Sequence, residues 1–214
     1  MALPMVHLAA AYLWHPEDTA LHECPEYYLG AIAPDAIHAR EGVTREDKRV
    51  THFGGTGCAD CLQRISRLWL RDSSPFAIGY GLHIITDRVW AENYRQFKGL
   101  FDPQTGKIRS EVYYGDTDAV DFMLYDSLPY RPFLWDKLSC AVPRDFEGLL
   151  SAAEIGWWQQ RVLHWFENRN NERSGEIKYL TYDVISRFIA ESSALCDAKL
   201  ASDGVENPTA ERVK

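Results

Sequence analysis

A proline-free run over residues 76–97, opened by Ser73-Ser74-Pro75, limits the possible folds of this chain more than any other segment. Serine followed by proline is a helix start. The hydroxyl can accept from an amide of the first turn, and proline loses nothing there because those N–H groups have no partner within the helix. The run is long enough for a helix of about 33 Å at 1.5 Å per residue. Gly79 and Gly81 lie inside it, and each costs roughly 1 kcal/mol against alanine in a helix interior. Close packing usually offsets such a cost, so this helix is expected to be central.

The remaining punctuation is also helical. Segment 6–14 is apolar and stops near His15-Pro16; segment 26–32 is stopped by Ala33-Pro34. Segment 58–70 carries Leu62, Ile65, Leu68 and Trp69 at amphipathic spacing. Segments 117–128, 151–168 and 182–200 complete the set, the last with Thr181 as its cap. Residues 99–115, which include Asp102-Pro103-Gln104-Thr105-Gly106, read as a loop or lid, and Pro129, Pro132 and Pro143 bound an irregular stretch. With no alternating strand pattern and no repeat, the expectation is all-α: one compact multi-helix domain over 1–200, with a flexible polar tail, 201–214.

Composition narrows the function. The 214 residues are 46% hydrophobic, with seven Trp, eleven Tyr and nine Phe, enough for one sizeable core. A net charge of −8 argues against a surface that wraps nucleic acid, so no stable nucleic-acid complex is expected. It leaves room for a phosphodiester-cutting enzyme whose positive charge comes from a metal. Residues 1–14 have no basic start and no small-residue cleavage site, no run approaches the ~20 apolar residues of a membrane span, and the cysteines number five. The expectation is a cytoplasmic protein with free thiols and no transmembrane segment. Cys58-Ala59-Asp60-Cys61 has the spacing of a redox or zinc pair, but no second pair accompanies it, and inert thiols are the expected reading.

Histidine and aspartate carry the chemistry. His83 and Asp87, four apart, share one face of the central helix. A bare carboxylate among Ile84, Ile85, Val89 and Trp90 would cost several kcal/mol, so Asp87 asks for a positive partner. His7 and His52 are further imidazoles, and Asp35 follows Ala33-Pro34. Imidazole nitrogen and carboxylate oxygen suit zinc, which takes four or five donors at about 2.0–2.2 Å, better than they suit magnesium or calcium. Each histidine alone has a plainer reading: His7 as core, His52 as a loop residue, His83 and Asp87 as an ordinary helix pair. His38 is either a further ligand or a group orienting Asp35. His15 and His22 are expected in a solvated loop and His164 in an aromatic core. Asp116, Asp118 and Asp121 read as a solvated helix start, with Asp121, next to apolar Phe122, the one of interest.

In order, His7, the segment Tyr28-Leu29-Gly30-Ala31-Ile32-Ala33-Pro34-Asp35, then His52-Phe53, then Gly79-Tyr80-Gly81-Leu82-His83 with Asp87, resemble the zinc-dependent phospholipase C family. That family is related to the fungal single-strand nucleases. The resemblance spans about residues 5–97 and implies a helical bundle around zinc, ligated by His7, Asp35, His52, His83 and Asp87. It departs from the family in two places. Six residues precede His7, where secreted members use the mature N-terminus as a ligand, and only His164, with Glu167 three residues on, follows Asp87. One zinc, or two with Asp87 bridging, is therefore the expectation, in a short intracellular bacterial type.

The activity these residues imply is metal-assisted hydrolysis; the resemblance adds a phosphodiester or phospholipid-type phosphoester as substrate. Asp35 is the catalytic candidate, as ligand or as general base. Tyr113, Tyr114, Trp157 and Trp158 are expected to form a wall or lid near the metal, since long loops in compact domains are often functional. A zinc-dependent ester or amide hydrolase, and a non-catalytic protein with a structural zinc, are the alternatives. The sequence carries no sign of an oligomeric state.

Overall fold

The structure, a computed structural model, describes residues 3–54, 60–172 and 176–202. Every regular element among them is a helix. In chain order the α-helices are α1 (Pro4–Leu13), α2 (Thr19–His22), α3 (Pro25–Ile32), α4 (Arg45–Thr51), α5 (Cys61–Arg71), α6 (Pro75–Asn93), α7 (Ser110–Ser127), α8 (Arg131–Cys140), α9 (Ala152–Trp165) and α10 (Tyr182–Ser202); short 3-10 segments join them, the longest, Ala33–Ala39, directly after α3. The start of the segment expected at 58–70, with Cys58, and the tail beyond Ser202 lie outside the described residues. No helix among the described residues is long and apolar enough to cross a membrane.

The central helix is α6. Its Ser74 cap accepts from the Ala77 amide at 3.3 Å, and Pro75 stands in the first turn. Residues Ala77 to Asp87 are buried without a break, the pattern of a helix surrounded on every side. Its glycines explain the surroundings. A Cβ on Gly79 would overlap the Tyr27 carbonyl, and one on Gly30 of α3 would overlap the Phe76 carbonyl. So α3 and α6 touch backbone to backbone. A Cβ on Gly81 would come within 2.6 Å of the Trp69 indole, whose Nε1 donates to the Ala77 carbonyl at 3.0 Å, seating α5 on the same helix.

Two further bonds fix the remaining walls of the core. Asp121 of α7 accepts from the Met5 amide at 2.9 Å and so caps α1, which is buried from Met5 to Ala11. Tyr80 donates from its hydroxyl to the Thr51 carbonyl at 2.6 Å, tying the end of α4 to α6. The buried apolar residues form one cluster reaching from α1 to α10.

Several expectations are corrected. Residues 99–115 are not a long loop: α7 begins at Ser110 and carries Tyr113, Tyr114 and Gly115. Its buried face, Tyr113, Asp116, Thr117, Val120, Asp121 and Leu124, outweighs one glycine. The stretch bounded by Pro129 and Pro143 contains α8, because Pro132 falls in the first turn, where proline is tolerated. Asp116 is not solvated; it is buried and accepts from the amides of Lys178, Tyr179 and Leu180 at 2.9, 2.6 and 3.0 Å. His22 is buried as well, donating to the His15 carbonyl at 3.1 Å and accepting from the Tyr28 hydroxyl at 2.6 Å. His164 is exposed rather than core and meets Glu167 at 3.0 Å, because α9 turns Ile155, Gln159, Val162 and Leu163 inward instead.

Two outcomes follow from this packing. Gly79→Ala should lower stability by about 2–3 kcal/mol, since the methyl meets main chain that cannot yield. Gly115→Ala, with nothing within 4 Å of the new methyl, should raise stability by roughly 0.5–1 kcal/mol; paired urea melts measure both. Asp121 gives a pH signature. Burial pushes its carboxyl well above the usual carboxylate range, against the bonds from α1. Its folded-state pKa is thus raised over the unfolded value of ~3.9. Its contribution to stability is therefore greatest below that value and is lost as pH rises through the folded pKa. Asp121→Asn, which keeps an acceptor oxygen but cannot ionise, should flatten the decline of melting temperature between mildly acidic and neutral pH.

Candidate metal centre

Five side chains converge beside α6. His7 comes from α1, Asp35 from the 3-10 segment, His52 from the residue after α4, and His83 and Asp87 from successive turns of α6. Each is at most 4% exposed. The charged run at 45–49 forms α4 because Thr44 and Asp47 close a capping box: the Asp47 amide donates to the Thr44 hydroxyl oxygen at 3.1 Å, and the Thr44 amide to the Asp47 carboxylate at 2.8 Å. His52 is therefore a helix-end residue turned inward, not a loop histidine. Phe53 and Gly54 follow with positive φ, 52° and 104°, and turn the chain away.

The carboxylates face imidazole nitrogens on several sides. Asp87 lies 3.6 Å from His7 Nε2 through Oδ1, and 3.7 and 4.0 Å from the Nε2 atoms of His52 and His83 through Oδ2. Asp35 Oδ1 lies 3.4 Å from His52 Nε2. The rings of His7 and His83 stack at 3.6 Å, 9° from parallel, and His52 stands edge-on to His83 at 5.4 Å.

Main-chain carbonyls set the tautomers. His83 Nδ1–H donates to the Ala31 carbonyl at 2.8 Å, and His52 Nδ1–H to the Lys48 carbonyl at 2.9 Å. Each ring is left with a bare Nε2 lone pair. The Ala31 carbonyl is available because the residue three further on is Pro34, which has no N–H to close a 3-10 turn onto it. Among the described residues, neither Nε2 has a hydrogen-bond partner, and His7 has none at either nitrogen. A buried polar atom left without a partner costs about 1–3 kcal/mol, and here such atoms gather in one place.

Electrostatics favours the protonation states that bind cations. Burial holds the His83 imidazole well below, and the His7 imidazole below, the ordinary value. Burial alone would push the Asp35 carboxyl up, but nearby positive charge, that of the Lys48 ammonium at 3.0 Å included, overrides it and holds the group well below the carboxylate range. Ligand atoms of His7, His83 and Asp87, and those of Asp35, His52 and His83, each lie within 4.8 Å of one another. His83 belongs to both sets and has one free lone pair, so the donors suit a single ion better than two. Three imidazole nitrogens and two carboxylates are a donor set of the zinc type.

Asp35 is also the outward edge of the cluster. Lys48 Nζ donates to its Oδ1 at 3.0 Å and sits 3.0 Å from His38 Nε2, itself 3.9 Å from Asp35. Lys48 lies four residues before His52, on the same face of α4, a spacing from which the sequence could have disclosed it. His38, on the exposed side, stands 5.8 Å from the Trp158 ring, and Arg161 lies over Trp157, Trp158 and Trp165 at 5.9, 5.7 and 4.2 Å. The tryptophans thus border this basic rim, with Trp157 the more exposed. Tyr113 is buried under Trp90, whose Nε1 donates to its hydroxyl at 2.8 Å; burial, with Asp87 adding, pushes the phenol up. Tyr114 is exposed, and Asp121 serves as the cap of α1. Arg88, beside Asp87 in sequence, bonds Glu92 at 2.9 Å and Cys61 Sγ at 3.3 Å.

Comparison of the chain with protein-family models, with curated proteins and with solved structures finds no match. The class defined by fold and site is an all-α protein with a deeply buried cluster of three histidines and two aspartates.

If Asp35 belongs to a coordination set, Lys48 competes with the cation for it. Lys48→Met should then tighten zinc binding on the order of tenfold, measured by competition with a chromophoric chelator, while the metal-free variant melts lower than wild type because Asp35 has lost its counter-charge. Unchanged zinc affinity would place Asp35 outside the set.

Proposed function

We propose that the chain is a zinc-dependent hydrolase of phosphoesters, acting on a phosphodiester or a phospholipid-type headgroup. The observation carrying this reading is the convergence of the buried Nε2 atoms of His7, His52 and His83, none with a hydrogen-bond partner among the described residues, on Asp35 and Asp87. A divalent ion bound there supplies a Lewis acid that acidifies water and polarises a phosphoryl oxygen. The chain's own groups supply the rest. Asp87 presents one oxygen toward His7 and the other toward His52 and His83. Asp35, kept anionic, serves as ligand or as the base that takes a proton from the attacking water. Lys48 and Arg161 place positive charge along the edge where an anionic substrate would arrive.

The phosphoester assignment draws on that basic rim and on the resemblance to the zinc-dependent phospholipase C family. The free thiols of Cys24, Cys61, Cys140 and Cys196 support a cytoplasmic setting. The depth of the donors favours one second reading, a closed structural zinc, because structural sites are closed by protein ligands whereas catalytic sites keep a position open.

Protein purified without chelator should carry close to one equivalent of zinc and hydrolyse a chromogenic phosphodiester in a zinc-dependent manner. Asp87→Asn should weaken zinc binding sharply, and should cost the protein more stability with zinc present than with chelator. Melts of both proteins, each with zinc and with chelator, separate these effects. Zinc bound without turnover of any phosphodiester, monoester or carboxyl ester leaves the structural reading; turnover of carboxyl esters alone replaces the phosphoester one. Equal destabilisation by Asp87→Asn in zinc and in chelator removes the metal centre altogether.

A further inference from the structure

On its inner face α5 buries Cys61, Ile65, Leu68 and Trp69. Its outer face carries Arg64, Arg67 and Arg71, a single stripe at i, i+3 and i+7. From Cys61 to Arg71 the helix holds no acidic residue. Arg71 is paired with Glu147, but the side chains of Arg64 and Arg67 make no hydrogen bond or ion pair among the described residues. In a chain of net charge −8, two neighbouring guanidiniums left without an acidic partner stand out. Like charges three apart on a helix repel, and an anion between them would relieve that repulsion.

Space for such an anion is present. The three arginines, with Val50, Phe53, Leu68, Leu149 and Glu147, line a groove of about 280 Å³ between the end of α4 and α5. Its floor is apolar, and Val50 in its lining stands 46% exposed. Planar guanidiniums match the oxygens of a phosphate in pairs, while an apolar floor offers nothing to a bare inorganic ion. We propose that this groove binds the phosphate group of an amphiphile, with Arg64 and Arg67 on the phosphate oxygens and the apolar portion against Phe53, Leu68 and Leu149. None of the five residues of the metal centre lines it, so the groove stands or falls separately from the metal reading. Val50 and Phe53 nevertheless bracket His52, which joins the two sites through one turn of chain.

The test uses the whole chain in the presence of chelator, so that metal chemistry cannot contribute. Two probes separate a soluble source from a membrane one: octyl phosphate as free monomer, read by calorimetry against octanol, and phosphatidylcholine vesicles with or without phosphatidic acid, read by co-sedimentation. Arg64→Gln/Arg67→Gln changes only exposed side chains, and Arg95→Gln, an exposed arginine of another face, controls for net charge. Binding of octyl phosphate, of phosphatidic acid vesicles, or of both is expected for wild type and Arg95→Gln, weakened about tenfold or more in the double variant. Binding of the vesicles alone assigns the amphiphile to a membrane, and binding of octyl phosphate assigns it to a free molecule. The proposal is overturned if neither probe binds, if octanol or neutral vesicles bind equally well, or if the double variant binds no more weakly than Arg95→Gln.

Discussion

The backbone contact between α3 and α6, made possible by Gly30 and Gly79, is the constraint on which the rest of this molecule depends. With side chains at those positions the two helices could not approach closely enough for the Ala31 carbonyl to reach His83 Nδ1 at 2.8 Å. That one bond fixes the tautomer of the central imidazole. Gly79, His83 and Asp87 are spaced four and four on α6, so the tightest contact and two of the polar groups lie along one stripe of helix. The 3-10 segment that follows α3 then delivers Asp35 from the same side. Close packing thus does more here than exclude water; it places a carbonyl, an imidazole and a carboxylate relative to one another.

A cluster of this kind has to be charge-balanced at every stage. Two buried carboxylates without positive charge nearby would be costly, and in the structure the Lys48 ammonium supplies it to Asp35 at the edge of the cluster. Lys48 occupies a position that a divalent cation would contest, and its bond to Asp35 gives a cation-free chain a counter-charge there. The basic stripe on α5 differs in kind: its charge is displayed to solvent over an apolar floor rather than spent on an internal carboxylate. One element of the fold thus uses positive charge to stabilise the interior and another holds it in reserve for contacts outside.

Much of this architecture was legible in the sequence, and particular residues show why. Ser74-Pro75 marked the start of α6 because caps are local, and Gly79 and Gly81 marked it as central because a glycine in a helix interior needs a reason. The five residues His7, Asp35, His52, His83 and Asp87 were singled out by residue type and order, and the fold brings them together. The misjudged segments were those whose local signals are ambiguous. Pro132 looks like a breaker until its place in a first turn is known, and Gly115 looks like a loop residue until the buried face of α7 is counted. Asp116 took its role from amides far away in the chain, and His22 from the His15 carbonyl and Tyr28 hydroxyl across the turns beside it, which no helix period records. His164 was misplaced because several faces of an aromatic-rich helix can pass for its core face. Lys48 was marked only by its spacing from His52, and the α5 groove depends on how α4 and α5 lie against each other, which only the fold discloses.

The glycine contact has a consequence for kinetics. His83 and Asp87 project from α6, and Asp35 hangs directly from the end of α3, so no loop can swing aside to uncover these three groups one at a time. Parting the two helices breaks the central core of the domain, and the free energy of that opening approaches the free energy of unfolding itself. On the proposed reading, a cation enclosed there would exchange on the timescale of global unfolding rather than that of local breathing. Such a protein would acquire its ion as it folds and keep it for the life of the folded chain.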